Sequence, residues 1–265
     1  MLIQKNPKSL SPIMPNAGLS TDYQKKLLRL TDSMNFSLLY WIRANYRARE
    51  DEIAMDASPV NELLKTMRKL FRKWIKKFDE LAEPLAQNFV EDIDDAAKRK
   101  LTLSLREAGV SISFNNPHDV QSKLRAMIAE NVALIKSIPR QHLSRVETIV
   151  LQSVSNGRDV SHVVEALENS FKVPRNRAIF IAKDQINKVT EAVSLSRCNQ
   201  IGITEGVWLH RSGSKKPRQH HVEMHNETFK LSEGMYDPVV RRFVKPGEEP
   251  NCHCTFKPLL PQLGK

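Results

Sequence analysis

The chain lacks several features that would assign it to a secreted or membrane class. Its 265 residues include only three cysteines, two of them at Cys252 and Cys254, which argues against a disulfide framework and indicates a reducing compartment. No apolar run reaches the length of about eighteen residues that a membrane-spanning helix needs. The first 19 residues contain three prolines and no apolar stretch. This composition predicts an extended arm at 1–19 and no secretory signal.

Acidic residues are also scarce relative to basic ones. The chain has 41 lysine and arginine residues against 30 aspartate and glutamate residues, which gives a formal net charge of +11. The excess is spread along the sequence rather than gathered in one block. A basic balance of this kind favours contact with polyanions such as nucleic acid, although a merely solubilising surface would have the same composition.

Hydrophobic periodicity predicts a mainly α-helical protein with a small α+β element at its C-terminal end. Apolar residues recur at a spacing of three to four through most of the first 201 residues. The predicted helices lie at about 21–50, 58–78, 83–107, 119–138, 139–155, 160–171 and 174–201. The predicted strands lie at 110–114, 206–210, 241–245 and 254–257, with a short helix at 216–226. Pro84 and Pro139 set two of these helix boundaries, and Gly202 ends the last long helix.

The helix that starts at Ser58 is predicted to have two sharply different faces. Its apolar face holds Leu63, Met67, Leu70, Phe71, Trp74, Ile75 and Phe78. Its basic face holds Lys65, Arg68, Lys69, Arg72, Lys73, Lys76 and Lys77, with no acid between positions 63 and 78. Such a helix can lie on a membrane surface, bind an acidic partner, follow nucleic-acid phosphates, or pack on a core with a solvated back. Stacking on bases is not expected, because the aromatic residues belong to the apolar face.

Residues with metal-ligand chemistry are concentrated near the end of the chain. Five of the eight histidines and two of the three cysteines lie between positions 210 and 254. Cys252 and Cys254 alternate, so they reach one site only if the backbone turns, and Pro250 and Asn251 favour such a turn. Together with His221 they predict a tetrahedral Cys2His2 zinc site. The candidates for its fourth ligand are His210, His220, His225 and His253.

Two other uses of the same residues stay open. In the first, the segment is a hydrogen-bonded polar core in which Arg218 and His221 bond to backbone carbonyls and the cysteines pack as small apolar groups. In the second, a cysteine and a histidine form a nucleophile–base pair, or His221 acts with Glu223 or Glu227 in acid–base or metal-dependent hydrolysis. The sequence marks no third, orienting group for such a pair.

Four segments in order resemble the phage head-morphogenesis family that is typified by the phage Mu protein F-like minor head proteins. They are 131–139, 181–188, 202–208 and 250–254, with Arg218, His221 and Phe229 between the last two. Three positions depart from the usual pattern. Lys183 and His253 stand where arginine is common, and Asn226 stands where glycine is common. Asparagine tolerates a positive φ, so the same turn is expected at position 226.

The resemblance covers about 120–257 and implies a structural motif made of Asp184, Gln185, Trp208, Arg218 and Asn251. It implies a non-enzymatic minor head protein of a tailed bacteriophage or prophage. Such a protein works with the portal and with the major capsid or scaffolding protein in procapsid assembly, and in DNA packaging or delivery. Its partners then include non-specific double-stranded DNA, and its location is the interior of the virion head and, during assembly, the host cytoplasm.

The resemblance also implies a division of the chain. A helical N-terminal domain is expected at 20–110, the head-morphogenesis domain at 115–257 and a tail at 258–265. Two alternatives of other classes stay open. One is a metal-dependent hydrolase or toxin-like enzyme that uses the C-terminal histidine and cysteine cluster. The other is a host DNA-binding protein, which predicts tight, sequence-selective duplex binding where a minor head protein predicts weak, salt-sensitive binding.

Overall fold

The protein is mainly α-helical and ends in a small antiparallel β element, as the sequence predicts. The structure is a computed structural model that describes residues 8–47, 58–155, 160–212 and 216–261. The helices are α1 (Ala17–Arg47), α2 (Ser58–Glu107), α3 (His118–Ser155), α4 (Val160–Ser170), α5 (Lys172–Gln200) and α6 (Gln219–Glu223). The strands are β1 (Glu205–Leu209), β2 (Thr228–Lys230), β3 (Met235–Asp237), β4 (Arg242–Val244) and β5 (Thr255–Leu259). Among the helices that the structure describes, none is long and apolar enough to cross a membrane.

The strands form two small antiparallel sheets. The first has the order β2-β1-β5, and in its register Trp208 lies opposite Phe256. The second pairs β3 with β4. Residues 8–10 of the predicted arm run alongside β5: the Leu10 N–H donates to the Pro258 carbonyl at 2.8 Å, and the Leu260 N–H donates to the Lys8 carbonyl at 3.0 Å. The arm ends before its predicted limit at residue 19, because α1 begins at Ala17. The arm is therefore held by backbone hydrogen bonds.

Two predicted helix breaks are wrong. Pro84 lies inside α2 and Pro139 lies inside α3, so each proline interrupts the hydrogen-bond ladder of a continuous helix. An interior proline costs about 3 kcal/mol, which is why the sequence indicates a break. The cost is offset because buried apolar residues continue on both sides, as Ala82 and Ala86 do around Pro84. Burial in the folded protein thus outweighs the local rule.

The predicted strand at 110–114 is also wrong. The segment follows the end of α2, where the Val110 N–H donates to the Leu105 carbonyl at 2.9 Å, and within the described residues it pairs with no strand. Its apolar and polar residues alternate, which produced the prediction, but alternation without a partner strand does not make a sheet. At the end of the segment, the Asn115 carbonyl accepts a hydrogen bond from the Arg197 guanidinium.

The chain forms two compact units, and each is assembled from separate stretches. One unit comprises Met1–Ser20, Gln87–Ile128 and Lys183–Lys265, and among its described residues are both sheets. The other comprises Thr21–Ala86 and Ala129–Ala182, and its described elements are helices. The sequence-based domain limits at 20–110 and 115–257 stay a prediction.

A buried ion pair holds the first of these units together. Arg197 of α5 is fully buried, and its Nε donates to the Asp94 carboxylate of α2 at 2.7 Å while Nη2 donates to the other carboxylate oxygen. Nη1 donates to the Asn115 carbonyl at 2.6 Å, and Nη2 also donates to the Asn116 side chain at 2.7 Å. The guanidinium therefore has partners for both of its terminal nitrogens, which is the condition under which a charge is tolerated away from water.

Candidate metal centre

The two cysteines converge because the backbone turns just before β5. Asn251 has a φ of 56°, in the left-handed region, and the Cys252 N–H donates to the Glu249 carbonyl at 2.9 Å. Both cysteines precede the first residue of β5, so the alternation of a strand does not separate them. Their side chains are buried, with 4% exposure at Cys252 and 3% at Cys254.

His221 lies against both thiols. It belongs to the short helix α6 and is 2% exposed. Its Nδ1 is 3.4 Å from the Cys252 sulfur and 3.8 Å from the Cys254 sulfur. The ligand atoms of these three residues all lie within 4.8 Å of one another. The structure thus brings together three of the four residues that the sequence assigns to a metal site.

Asp237 orients the histidine, and sequence reasoning missed it. The His221 Nε2 is 3.1 Å from Asp237 Oδ2, and the other carboxylate oxygen accepts a hydrogen bond of 2.8 Å from the Val239 N–H. This pairing fixes the imidazole so that Nδ1 faces the sulfurs. The one local signal was an aspartate followed by Pro238 between the histidines and the cysteines, a common turn sequence.

The electrostatics of the cluster favour a thiolate. A hydrogen bond from the Cys254 thiol lowers the pKa of Cys252, and the His221 imidazole lowers it further. The same contact raises the pKa of Cys254. Burial acts to lower the pKa of His221, but the Cys252 sulfur and the Asp237 carboxylate together raise it above its ordinary value. One thiolate therefore forms readily beside an imidazole, which suits a soft metal ion or a nucleophile–base pair.

Among the four histidines proposed as the remaining ligand, His210 is placed best. Its Nδ1 lies 3.6 Å from the Cys254 sulfur, directly after the end of β1. The His225 Nδ1 instead accepts a hydrogen bond from the His210 backbone N–H, and the His220 Nε2 is 3.6 Å from Asp237. His253 is half-buried and is not part of the cluster.

The motif residues support the turn that carries the cysteines. Asp184 of α5 accepts a hydrogen bond of 2.7 Å from the Asn251 N–H, and its other carboxylate oxygen lies 3.0 Å from the Lys188 ammonium. Arg218 donates to the Pro250 carbonyl at 3.1 Å, which is the role that the polar-core alternative gave it. Gln185 is buried next to Asp184. The turn at 250–251 is thus held from α5 and from the residue that precedes α6.

The backbone of the same loop, at Gly247, lies in close contact with the Glu191 side chain of α5. Gly247 has a φ of 74°, and a Cβ placed on it would stand 2.7 Å from the Cγ of Glu191. Both the dihedral and the space therefore require glycine at this position. Burial raises the pKa of Glu191 well above its ordinary value, so the neutral acid is favoured at this contact.

Comparison with known proteins identifies the region that contains this site. The model of a family described as "Phage Mu protein F like protein" matches residues 144–257. Residues 144–257 are a phage Mu protein F-like domain. The family is one of bacteriophage head morphogenesis, so the resemblance drawn from the sequence motifs is confirmed. The match starts at residue 144, whereas the motif resemblance extends to about residue 120.

One relative extends the similarity beyond the Mu F-like domain. An uncharacterized protein of Haemophilus influenzae (strain ATCC 51907 / DSM 11121 / KW20 / Rd) is 29% identical over 182 residues, which cover 68% of this chain. The same alignment covers 39% of the relative, so the chain spans about two fifths of that protein's length. No solved structure matches the chain significantly.

The turn predicted at Asn226 is present in the Mu F-like domain. Asn226, which stands where glycine is common in the family, has a φ of 70°. Its N–H donates to the Trp208 carbonyl at 2.8 Å, which ties the turn between α6 and β2 to β1. Asparagine adopts this left-handed conformation more readily than other residues with a side chain. The predicted turn is therefore present despite the substitution.

The residues of the catalytic alternative are arranged in a suitable order within the Mu F-like domain, but they are not accessible to a substrate. Cys252, His221 and Asp237 follow one another as a nucleophile, a base and an orienting carboxylate would. All three side chains are buried, so a substrate would have to displace the surrounding core to reach the sulfur. Glu223 and Glu227, the proposed acid–base partners of the histidine, are exposed.

The basic face precedes the Mu F-like domain, on α2. The seven predicted cations are all exposed; they are Lys65, Arg68, Lys69, Arg72, Lys73, Lys76 and Lys77. The apolar face is buried at Met67, Leu70, Phe71, Trp74 and Phe78, with Ile75 half-buried and Leu63 outside the described side chains. Lys77 lies 4.9 Å above the centre of the Trp74 ring, and Lys76 is 3.7 Å from Glu80. The structure thus presents an elongated cationic surface to solvent.

Proposed function

We propose that this protein is a minor head protein of a tailed bacteriophage or prophage, which acts in procapsid assembly with the portal and with the major capsid or scaffolding protein. The observation that carries the proposal is the match of residues 144–257 to the phage Mu protein F-like family. In this role the protein resides in the virion head, and during assembly in the host cytoplasm. The exposed cations of α2 supply a surface for acidic partners or for packaged DNA.

A non-enzymatic role fits the burial of the candidate site. A nucleophilic cysteine has to meet a substrate atom, and catalytic cysteines are therefore partly exposed. Cys252 and His221 are both almost fully buried. The same residues are better suited to holding the C-terminal element together, since the turn at 250–251 is bonded to Asp184 and Arg218. A hydrolase would need this core to open so that a substrate could reach the buried residues.

The assembly role is tested by deleting the gene from the phage or prophage that encodes it. We expect the yield of infectious particles to fall at least tenfold, and purified wild-type heads to contain the protein in few copies by quantitative mass spectrometry. Expression of the intact gene in trans should restore the yield. Normal particle yield, together with absence of the protein from purified heads and procapsids, would contradict the proposal.

Contact with DNA through the basic face is tested by its salt dependence. We propose weak, non-specific binding of double-stranded DNA in which Lys65, Lys69 and Lys73 neutralise phosphates. Each phosphate contact contributes about 0.9 to the slope of log K against log salt concentration. Replacing the three lysines by glutamine should therefore reduce that slope by about 2 to 3, as measured by fluorescence anisotropy on a labelled duplex.

The control variant removes the same charge elsewhere. Lys25, Lys123 and Lys172 are exposed and lie outside the basic face of α2. Their replacement by glutamine should leave the slope nearly unchanged. If both triple variants weaken binding equally, the basic face has no special role and the overall charge is responsible. Tight binding that depends on the DNA sequence would instead favour the host DNA-binding alternative.

A further inference from the structure

We propose that the phage Mu protein F-like domain binds one structural zinc ion through Cys252, Cys254, His221 and His210. This inference goes beyond the assembly role and does not depend on it. The site lies within the unit that contains both sheets. Its ligands come from three separate places: the end of β1, the helix α6 and the turn before β5.

Three of the six distances between the proposed ligand atoms match those of a tetrahedral zinc site. Zinc lies about 2.3 Å from a thiolate sulfur and about 2.0–2.1 Å from an imidazole nitrogen, so neighbouring ligand atoms of a tetrahedron are about 3.4–3.8 Å apart. The His221 nitrogen is 3.4 Å from one sulfur and 3.8 Å from the other. The His210 nitrogen is 3.6 Å from the Cys254 sulfur. Three independent pairs thus have the separation that a shared ion imposes.

The donor set selects the kind of metal. Two thiols and two imidazoles are soft or borderline ligands, which favour zinc and disfavour oxygen-seeking cations such as magnesium or calcium. A bound divalent ion would hold both cysteines as thiolates, since a coordinating thiol is deprotonated.

Asp237 supplies the outer contact that zinc-bound histidines usually have. A ligating histidine almost always gives its other ring N–H to a carboxylate or a carbonyl, which fixes its tautomer and its orientation. The His221 Nε2 is 3.1 Å from the buried Asp237 carboxylate, and Nδ1 faces the sulfurs. Asp237 is itself held by the backbone N–H of Val239. The arrangement is the one expected of a ligand that keeps one orientation.

His210 closes the site, which makes it structural rather than catalytic. Its nitrogen reaches Cys254 but stands outside the set of three residues whose ligand atoms all lie within 4.8 Å of one another. The proposal requires the half-buried His210 ring to move into the fourth position when the ion binds. With four protein ligands no coordination position is left for water, which is the distinction between structural and catalytic zinc sites.

The test uses the full chain without a histidine tag. We expect stoichiometric zinc by inductively coupled plasma mass spectrometry. Exchange with Co²⁺ should give the intense visible bands of tetrahedral cobalt together with sulfur-to-cobalt charge transfer in the near ultraviolet. Two thiols should become reactive toward a disulfide reagent only after a chelator is added. These measurements need no variant, so they decide the proposal even if a variant fails to fold.

Matched variants then assign the ligands. Cys252→Ser and Cys254→Ser should each lower the zinc content at least fivefold, whereas Cys198→Ser should retain it, because the third cysteine is buried in α5 outside the cluster. His210→Ala should weaken zinc binding at least tenfold in a chelator competition. His118→Ala, at an exposed histidine outside the cluster, should leave it unchanged.

Several outcomes would overturn the proposal. An intact chain that takes up no zinc, or a cobalt form without sulfur charge transfer, would exclude a thiolate site. Equal loss of zinc in Cys198→Ser and Cys252→Ser would show that folding, and not coordination, controls the metal content. Unchanged zinc binding in His210→Ala would leave three protein ligands, which overturns the structural assignment and favours a metal-dependent hydrolase.

Discussion

Replacing Arg197 with alanine is expected to destabilise the protein by about 3–5 kcal/mol, a large part of the total stability of most domains. The guanidinium is fully buried and binds both carboxylate oxygens of Asp94. Its removal leaves that carboxylate, which is 4% exposed, without its main buried counter-charge. It also removes one of the two donors to the Asn115 carbonyl, the other being the Gln200 side chain. The free energy of unfolding, measured in urea, should fall accordingly.

A second ion pair provides the control for this variant. Arg175 pairs with Asp32, but its side chain is 44% exposed. Its replacement by alanine should cost at most about 1 kcal/mol, because water screens an exposed pair. In addition, the double variant Arg197→Met with Asp94→Leu should recover much of the stability lost in Arg197→Ala, since it removes both buried charges at once. Equal losses in Arg197→Ala and Arg175→Ala would contradict the structural role of the buried pair.

Trp208→Ala is expected to cost about 3–5 kcal/mol and to disorder the candidate metal centre. The indole is fully buried on β1 and makes edge-to-face contacts with His221 at 5.5 Å and with Phe229 at 5.7 Å between ring centres. Alanine would leave a large cavity beside the imidazole. The loss should appear in urea unfolding, and in a higher reactivity of Cys252 toward alkylating reagents.

Trp41→Ala is the matched control, because its indole is 45% exposed and lies in α1. Its replacement should cost no more than about 1 kcal/mol and should leave the reactivity of the cysteines unchanged. If the two tryptophan variants had similar stability, the indole of β1 would not be the centre of the small sheet. If Trp208→Ala destabilised the protein without raising the reactivity of Cys252, the link between the indole and His221 would be wrong.

The helices could be predicted because each follows a single local period. In α2 between Met67 and Phe78, the spacing of the apolar residues predicts which face is buried, and the structure buries that face. Pro84 and Pro139 misled the prediction, because a proline's cost is local whereas the burial that offsets it depends on the rest of the fold. The strands β2 and β3 have three residues each, too few for a period to appear.

The candidate site could be predicted only in part. The convergence of Cys252 and Cys254 follows from a turn whose residues are visible in the sequence. The contact of His221 with Asp237 does not, because it joins α6 to β3 across two turns and an intervening strand. Neither does the choice of His210 over His225, which rests on ring directions that no spacing encodes. The chemistry of a local segment can be predicted from the sequence, whereas contacts between residues that are distant in sequence can be identified only from the fold.

The arm beside β5 has a consequence for how the protein behaves at high concentration. A strand with an open row of N–H and C=O groups is a template on which a second molecule can add its own strand and start aggregation. In β5 one row is occupied by β1, and the other is occupied in part by the arm, through Leu10 and Lys8. The arm therefore covers part of the β5 edge of this sheet and leaves fewer backbone groups there open to a second molecule.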